Sequence, residues 1–125
     1  MTIQEAVMTT QDVANRFSEL AQTGQWQQIQ DELFAENAVS IEPENSPGLK
    51  TVTGIEAIRQ KGKDFEQAVE EMHGGYSSQP VVGGSHFAVA MGMDATMKGQ
   101  GRSKMDEIAV YGVKDGKIVK EQFFY

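Results

Sequence analysis

Three turn signals cut the second half of the chain into pieces of strand length. They are Gly83-Gly84-Ser85, Gly99-Gln100-Gly101 and Asp115-Gly116. The runs between them are rich in β-branched, aromatic and methionine residues and alternate in character. Residues with this period and these breaks form hairpins, so the spacing predicts a four-stranded antiparallel meander over roughly 76–82, 86–97, 102–113 and 117–125.

The first half reads differently. Val13, Phe17, Leu20 and Ala21 recur at the spacing of one helix face, with Thr9 or Thr10 to cap the start, Asp12 in the first turn and Gly24 at the stop. Trp26, Ile29, Leu33 and Phe34 mark a second short helix. "AVSIEP" reads as a short strand ended by Pro43, and "ENSPGLKTV" as a loop. A third helix begins at Thr53, whose spacing to Glu56 is that of a capping box. It carries Ile55, Ile58, Phe65, Val69 and Met72 and stops at Gly74-Gly75. Helices grouped before a run of hairpins argue for an α+β fold, with three helices packed on one side of a curved antiparallel sheet.

With 125 residues the chain fits one domain, 1–125. Residues 1–8 read as a short lead-in, with no basic region before an apolar block and hence no signal peptide. No apolar stretch approaches the roughly 20 residues of a membrane span. The absence of cysteine excludes disulfides and thiolate metal sites and fits a cytoplasmic protein. A net charge of −7 disfavours nucleic acid and anionic membranes as partners. His73 and His86 are the only histidines and form no ligand pattern, so neither a metal nor a cofactor is expected.

The strand faces suggest a site. If Met97 lies opposite Arg102, then Gly92, Ala90 and Ala88 stand beside Glu107, Ala109 and Tyr111, and small residues next to large polar ones leave room for a cavity. The other face, with Phe87, Val89, Met91, Ile108 and Val110, is then too apolar for water and predicts a homodimer through the outside of the sheet. The last hairpin has two registers. A three-residue Lys114-Asp115-Gly116 loop pairs Glu107 with Phe123 and Met105 with Tyr125 and turns Glu121 and Tyr125 to the cavity. A two-residue Asp115-Gly116 turn moves Glu121 and Tyr125 to the other face. The first is preferred because Lys120 and Gln122 then leave the cavity.

Taken together, "FSELAQTGQWQQIQDELFAENAVSIEP", "GIEAIRQKGKDF" and "VYGVKDGKIVKEQ" resemble the NTF2-like superfamily, in particular its SnoaL-like and ketosteroid-isomerase-like members. The resemblance spans nearly the whole chain. It implies a cone-shaped fold with a ligand cavity, and in many members a homodimer through the outer face of the sheet. It also implies where to look for chemistry. The isomerases carry their general base before a proline at the end of the first strand, here Glu42-Pro43. Their oxyanion donors, a tyrosine and a protonated aspartic acid, fall at Phe17 and at or near Ala109. Both donors are absent, and losing one typically costs on the order of 10²–10³ in rate. Ketosteroid isomerase activity is therefore not expected. Glu107, two residues from Ala109, offers a displaced acid of the kind the SnoaL-type cyclases place on the sheet.

The expected catalytic groups are Glu42 or Glu107 as base, with Tyr111 donating to a developing oxyanion. Candidate ligand contacts are Phe17, Trp26 (which also packs the helices together), His73, Asp94, Met105, Glu121, Phe123 and Tyr125. The function these imply is binding of a small hydrophobic molecule, with acid–base isomerisation, cyclisation or dehydration beside a carbonyl. The alternative is a non-catalytic binding or interaction module.

Overall fold

The computed structural model describes residues 7–125, so the first six residues of the expected lead-in, and the question of a leader, lie outside the described part. Helix α1 (Thr10–Gln22) starts where Thr9 Oγ1 accepts from the Asp12 N–H at 3.1 Å, while Asp12 Oδ2 accepts from the Thr9 N–H at 3.0 Å. This reciprocal cap satisfies two of the amide groups that a helix start leaves unpaired. Gly24, at φ 70°, follows its end. Helix α2 (Trp26–Leu33) passes directly into strand β1 (Phe34–Ile41), so Phe34 opens a strand rather than closing the helix.

Strand β2 (Val52–Thr53) pairs with β1 through Val39↔Thr53 and precedes helix α3 (Ile55–Ala68). The capping box expected at Thr53 does not form. Thr53 is held in β2, the N-cap is Gly54 at φ 95° with no side-chain bond, and Glu56 instead accepts from Arg59. Strand β3 (Val69–Ser77) follows without a gap, where helix was expected to continue to Gly74-Gly75. Pairing along β5 (His86–Met97), from Val69↔Met97 to Ser77↔Met91, overrides the helical spacing of Val69 and Met72. The strand expected over 76–82 is thus split between β3 and a short β4 (Val81–Gly83). Strands β6 (Gly101–Lys114) and β7 (Lys117–Phe124) complete the meander.

The sheet runs β2-β1-β7-β6-β5-β3, with β4 added on β5, and it does not close. The α+β cone expected from the sequence is present, with one difference: β1 lies parallel to β7, so the sheet is mixed. Such a parallel pair needs a long crossover, which here runs from residue 42 to residue 116 and contains α3 and the intervening strands.

Two register details decide which side chains face inward. Met97 pairs with Gly101 rather than Arg102, so Phe87, Val89 and Met91 stand opposite Tyr111, Ala109 and Glu107. Phe87 and Val89 are therefore core residues, and the row Ala88, Ala90, Gly92 faces outward. The room left by Gly92 is on that outer face, where Tyr76 crosses it to donate to Asp106 Oδ1 at 2.7 Å. The outer apolar face keeps Ile108 and Val110 but not Phe87, Val89 or Met91. The last hairpin has the two-residue turn, Lys114↔Lys117, with Asp115 at φ 51° and Gly116 at φ 75°. Between Gly112↔Lys120 and Val113↔Ile118 β7 carries one extra residue. This bulge restores the parity that the short turn had reversed. Ile118 and Glu121 both point inward although they are three apart, and Glu121 stands opposite Tyr111 and Phe123 opposite Ala109.

Candidate functional site

The inner face of the sheet and helix α3 bring together side chains from four elements. From β1 come Ala38 and Ser40, alternate residues of one face, followed by Glu42 just past the strand. From β7 come Glu121, Phe123 and Tyr125, the last just beyond the strand end, and from β6 Glu107 and Tyr111. Helix α3 contributes Lys61, which sits in the apolar row between Ile58 and Phe65 and is largely buried. Glu42 and Glu121 are each only 7% exposed and Ser40 is fully buried.

One chain of hydrogen bonds orders most of these groups. Lys61 Nζ donates to Glu42 Oε2 and to Ser40 Oγ, both at 2.7 Å. Ser40, its oxygen so occupied, donates to Glu121 Oε1 at 2.7 Å. The Tyr125 hydroxyl donates to Glu42 Oε1 at 2.8 Å and therefore accepts from Ser46 Oγ at 2.7 Å. Thr51 Oγ1 accepts from the Glu42 N–H. Both oxygens of Glu42 are thus engaged, one of them by a cation.

Glu107 is different. It is half-buried, faces the apolar Met91 across the strand, and has no hydrogen bond or ion pair among the described residues. Burial pushes its pKa up to about 7, helped by the charges of Glu42 and Glu121 and opposed by Lys61. Burial also raises Glu121 to about 7, against the pull of the Ser40 hydrogen bond and of Lys61, while Glu42 adds to the rise. The charge of Glu121 disfavours ionisation of Glu107. The Tyr111 phenol, stacked on Phe87 and 4.7 Å from the ring of Phe17, is held well above its ordinary pKa, first by burial and then by Glu121 and Glu107. Such a group stays protonated and available as a donor. Tyr125 is also raised, mainly by burial.

Of the residues expected from sequence, Glu42, Glu107, Tyr111, Glu121, Phe123 and Tyr125 do meet here. Phe17 packs behind Tyr111 in the core, and Met105, opposite Met93, lies further along the inner face of β6. Three others lie elsewhere. Asp94 is on the outer face in a two-point ion pair with Arg102. His73 is on that face too, bonded to Thr96 Oγ1. Trp26 rests edge-on against Phe17 and is otherwise solvent-exposed. Lys61, Ser40 and Ser46 were missed. A lysine inside the Ile58–Phe65 row and a serine alternating with Ala38 and Glu42 were the signals for the first two; Ser46, in a loop, gave none. Among the described residues no three His, Asp or Glu side chains are placed to hold a metal ion. Two depressions of about 530 and 380 Å³ lie on the helical surface, around Arg16 and Glu19 and around Trp26 and Glu66, away from the carboxylates.

Residues 8–125 match the SnoaL-like domain family. A Mesorhizobium loti protein provisionally named a SnoaL-like polyketide cyclase, with carbohydrate phosphatase as a second designation, is 36% identical. It covers 94% of this chain and 100% of its own, with a TM-score of 0.88. A Xanthomonas campestris protein of unknown function with a cystatin-like fold is 18% identical, covering 94% and 90% of the two chains with a TM-score of 0.76. TerC, solved with polyporic acid, is 14% identical over 93% and 90%, with a TM-score of 0.71. No curated protein matches the chain.

Proposed function

The chain belongs to the SnoaL-like family, and on that footing we propose that its cone binds a small hydrophobic molecule and moves a proton beside a carbonyl, in an isomerisation, cyclisation or dehydration. The observation that carries this reading is Glu107. It is the carboxyl group of the site with no cation and no donor of its own among the described residues, and it titrates near 7, where a general base works best. Glu42, the position of the isomerase base, is a poorer candidate because Lys61 and Tyr125 occupy both of its oxygens. Tyr111 would donate to the developing oxyanion. The polyporic acid bound to TerC supports a small molecule as the occupant of such a fold.

Native mass spectrometry of protein taken from cell extract tests the binding step through a retained small molecule. Deuterium wash-in at the carbon beside that molecule's carbonyl tests the chemistry. Glu107→Gln should slow it by at least about 100-fold, the lower end of what a general base contributes. Equal exchange by both proteins would leave binding without catalysis. That second reading is favoured by the Phe17, Phe87 and Tyr111 rings, which fill the interior behind the carboxylates.

A homodimer through the outer face, where Ile108 and Phe124 are paired neighbours 44% and 49% exposed, belongs to the same proposal. Sedimentation of Ile108→Glu as a monomer, against a wild-type dimer, would support it. A cytoplasmic location fits the lack of cysteine.

A further inference from the structure

We infer that the free part of this site is built for a positively charged group, a protonated amine on an apolar body, seated between Glu107, Glu121 and Tyr111. The inference rests on the small-molecule reading above and specifies the charge of the ligand.

Among the described residues three carboxyl groups converge in the cone, and Lys61 is the one cation bonded to them. Its ammonium is committed to Glu42 and Ser40. Among the described residues Glu121 has a partner for one oxygen only and Glu107 for neither. No sealed side-chain nitrogen or oxygen among the described residues lacks a partner, so these free oxygens keep some contact with solvent. The second observation is Tyr111. It is 2% exposed, yet its hydroxyl has no hydrogen-bond partner among the described residues. By the same reasoning that hydroxyl is not completely sealed, and it lies on the inner face directly opposite Glu121. Buried hydroxyls are normally paired, and one left free beside Glu107 and the second oxygen of Glu121 is a contact awaiting a ligand.

Complementarity decides which ligand. An anion would meet acidic groups on two strands and only an engaged lysine. A neutral carbonyl would satisfy Tyr111 and leave the carboxylate oxygens unpaired. An ammonium carries the donors that Glu107 and the second oxygen of Glu121 lack, and Tyr111 can then accept from it or donate to an acceptor on the same molecule. Phe123 and Met91, partly buried against the core, supply apolar contact, and the Phe123 ring already lies 5.6 Å from the Lys61 ammonium.

Glu107 is faced by Glu42 from the end of β1, Glu121 and Tyr125 from β7, Tyr111 on β6 and Lys61 from α3. Only the last favours its ionisation. A bound cation would lower the pKa of Glu107, typically by 1–3 units. Affinity for an amine must then rise with pH, on the order of 10-fold from pH 5.5 to pH 8.

Benzylammonium, benzyl alcohol and benzenesulfonate share a ring and differ in charge. Titrating each into the full chain at pH 5.5 and 8, followed by NMR shifts, gives the test. Benzylammonium should bind tightest at pH 8 and weaken about 10-fold at pH 5.5. Glu107→Gln should flatten that dependence, with Glu121→Gln as a second variant removing part of it. Alcohol or sulfonate binding as tightly as the ammonium at pH 8, or a pH-independent ammonium affinity, would overturn the inference while leaving the small-molecule reading standing. If none of the three binds at either pH, both fail.

Discussion

Replacing Glu121 by glutamine should stabilise this protein at neutral and alkaline pH and leave it unchanged in acid. The side chain is almost fully buried, and its pKa rises from 4.5 to about 7, chiefly through burial. At about 1.4 kcal/mol per unit, that shift is worth about 3 kcal/mol between the two protonation states. The sign follows from linkage. Below pH 4.5 the group is neutral in both folded and unfolded chains and contributes no penalty. As pH rises from 4.5 toward 7, the unfolded chain ionises freely while the folded one resists, so wild-type stability falls, and above about 7 the full loss is present. Glutamine cannot ionise and keeps an oxygen to accept from Ser40. Urea unfolding at pH 4, 6 and 8 should therefore give equal stabilities at pH 4 and a variant more stable by about 3 kcal/mol at pH 8. A variant equal to or weaker than wild type at pH 8 would show that Glu121 ionises without cost, and the argument from burial would be wrong.

Lys61→Met should leave Glu42 buried without its cation and cost about 3–5 kcal/mol, read from urea unfolding at pH 8. Gly92→Ala would drive a methyl to 2.6 Å from the Tyr76 ring and 2.9 Å from the Met105 carbonyl. It should lower stability by about 1–3 kcal/mol, and Tyr76→Ala in the same chain should recover only part, because the carbonyl remains. Thr9→Ala removes the reciprocal cap of α1 and should cost about 1 kcal/mol, read from the denaturation midpoint.

The hydrophobic period and the turn residues determined most of the architecture. Val13, Phe17, Leu20 and Ala21 pack one face of α1 as their spacing requires, and the Gly-rich breaks bound β5, β6 and β7 to within a residue or two. These signals are local, so sequence carries them. What sequence did not contain was decided by pairing between distant segments. The i, i+4 spacing of Phe65 and Val69 suits a helix, but β5 offers Val69 and Met72 a ladder, and the chain changes structure at Val69. Glu121 was expected to face the cavity by way of a three-residue loop, and it does face inward, but through a two-residue turn and a one-residue bulge. Both routes give the same parity, and only the assembled sheet distinguishes them. A single step in the β5–β6 register moved Ala88, Ala90 and Gly92 to the outside and put Met91 opposite Glu107. The site shows the same division. Alternation along single strands placed Glu107 and Tyr111 on one face. The partnership of Lys61 with Glu42 joins residues 19 apart across helix and strand, and that of Ser40 with Glu121 joins residues 81 apart. Which carboxylate is paired and which is left to bind or react is therefore a property of tertiary packing, because the compensating charge arrives from another element.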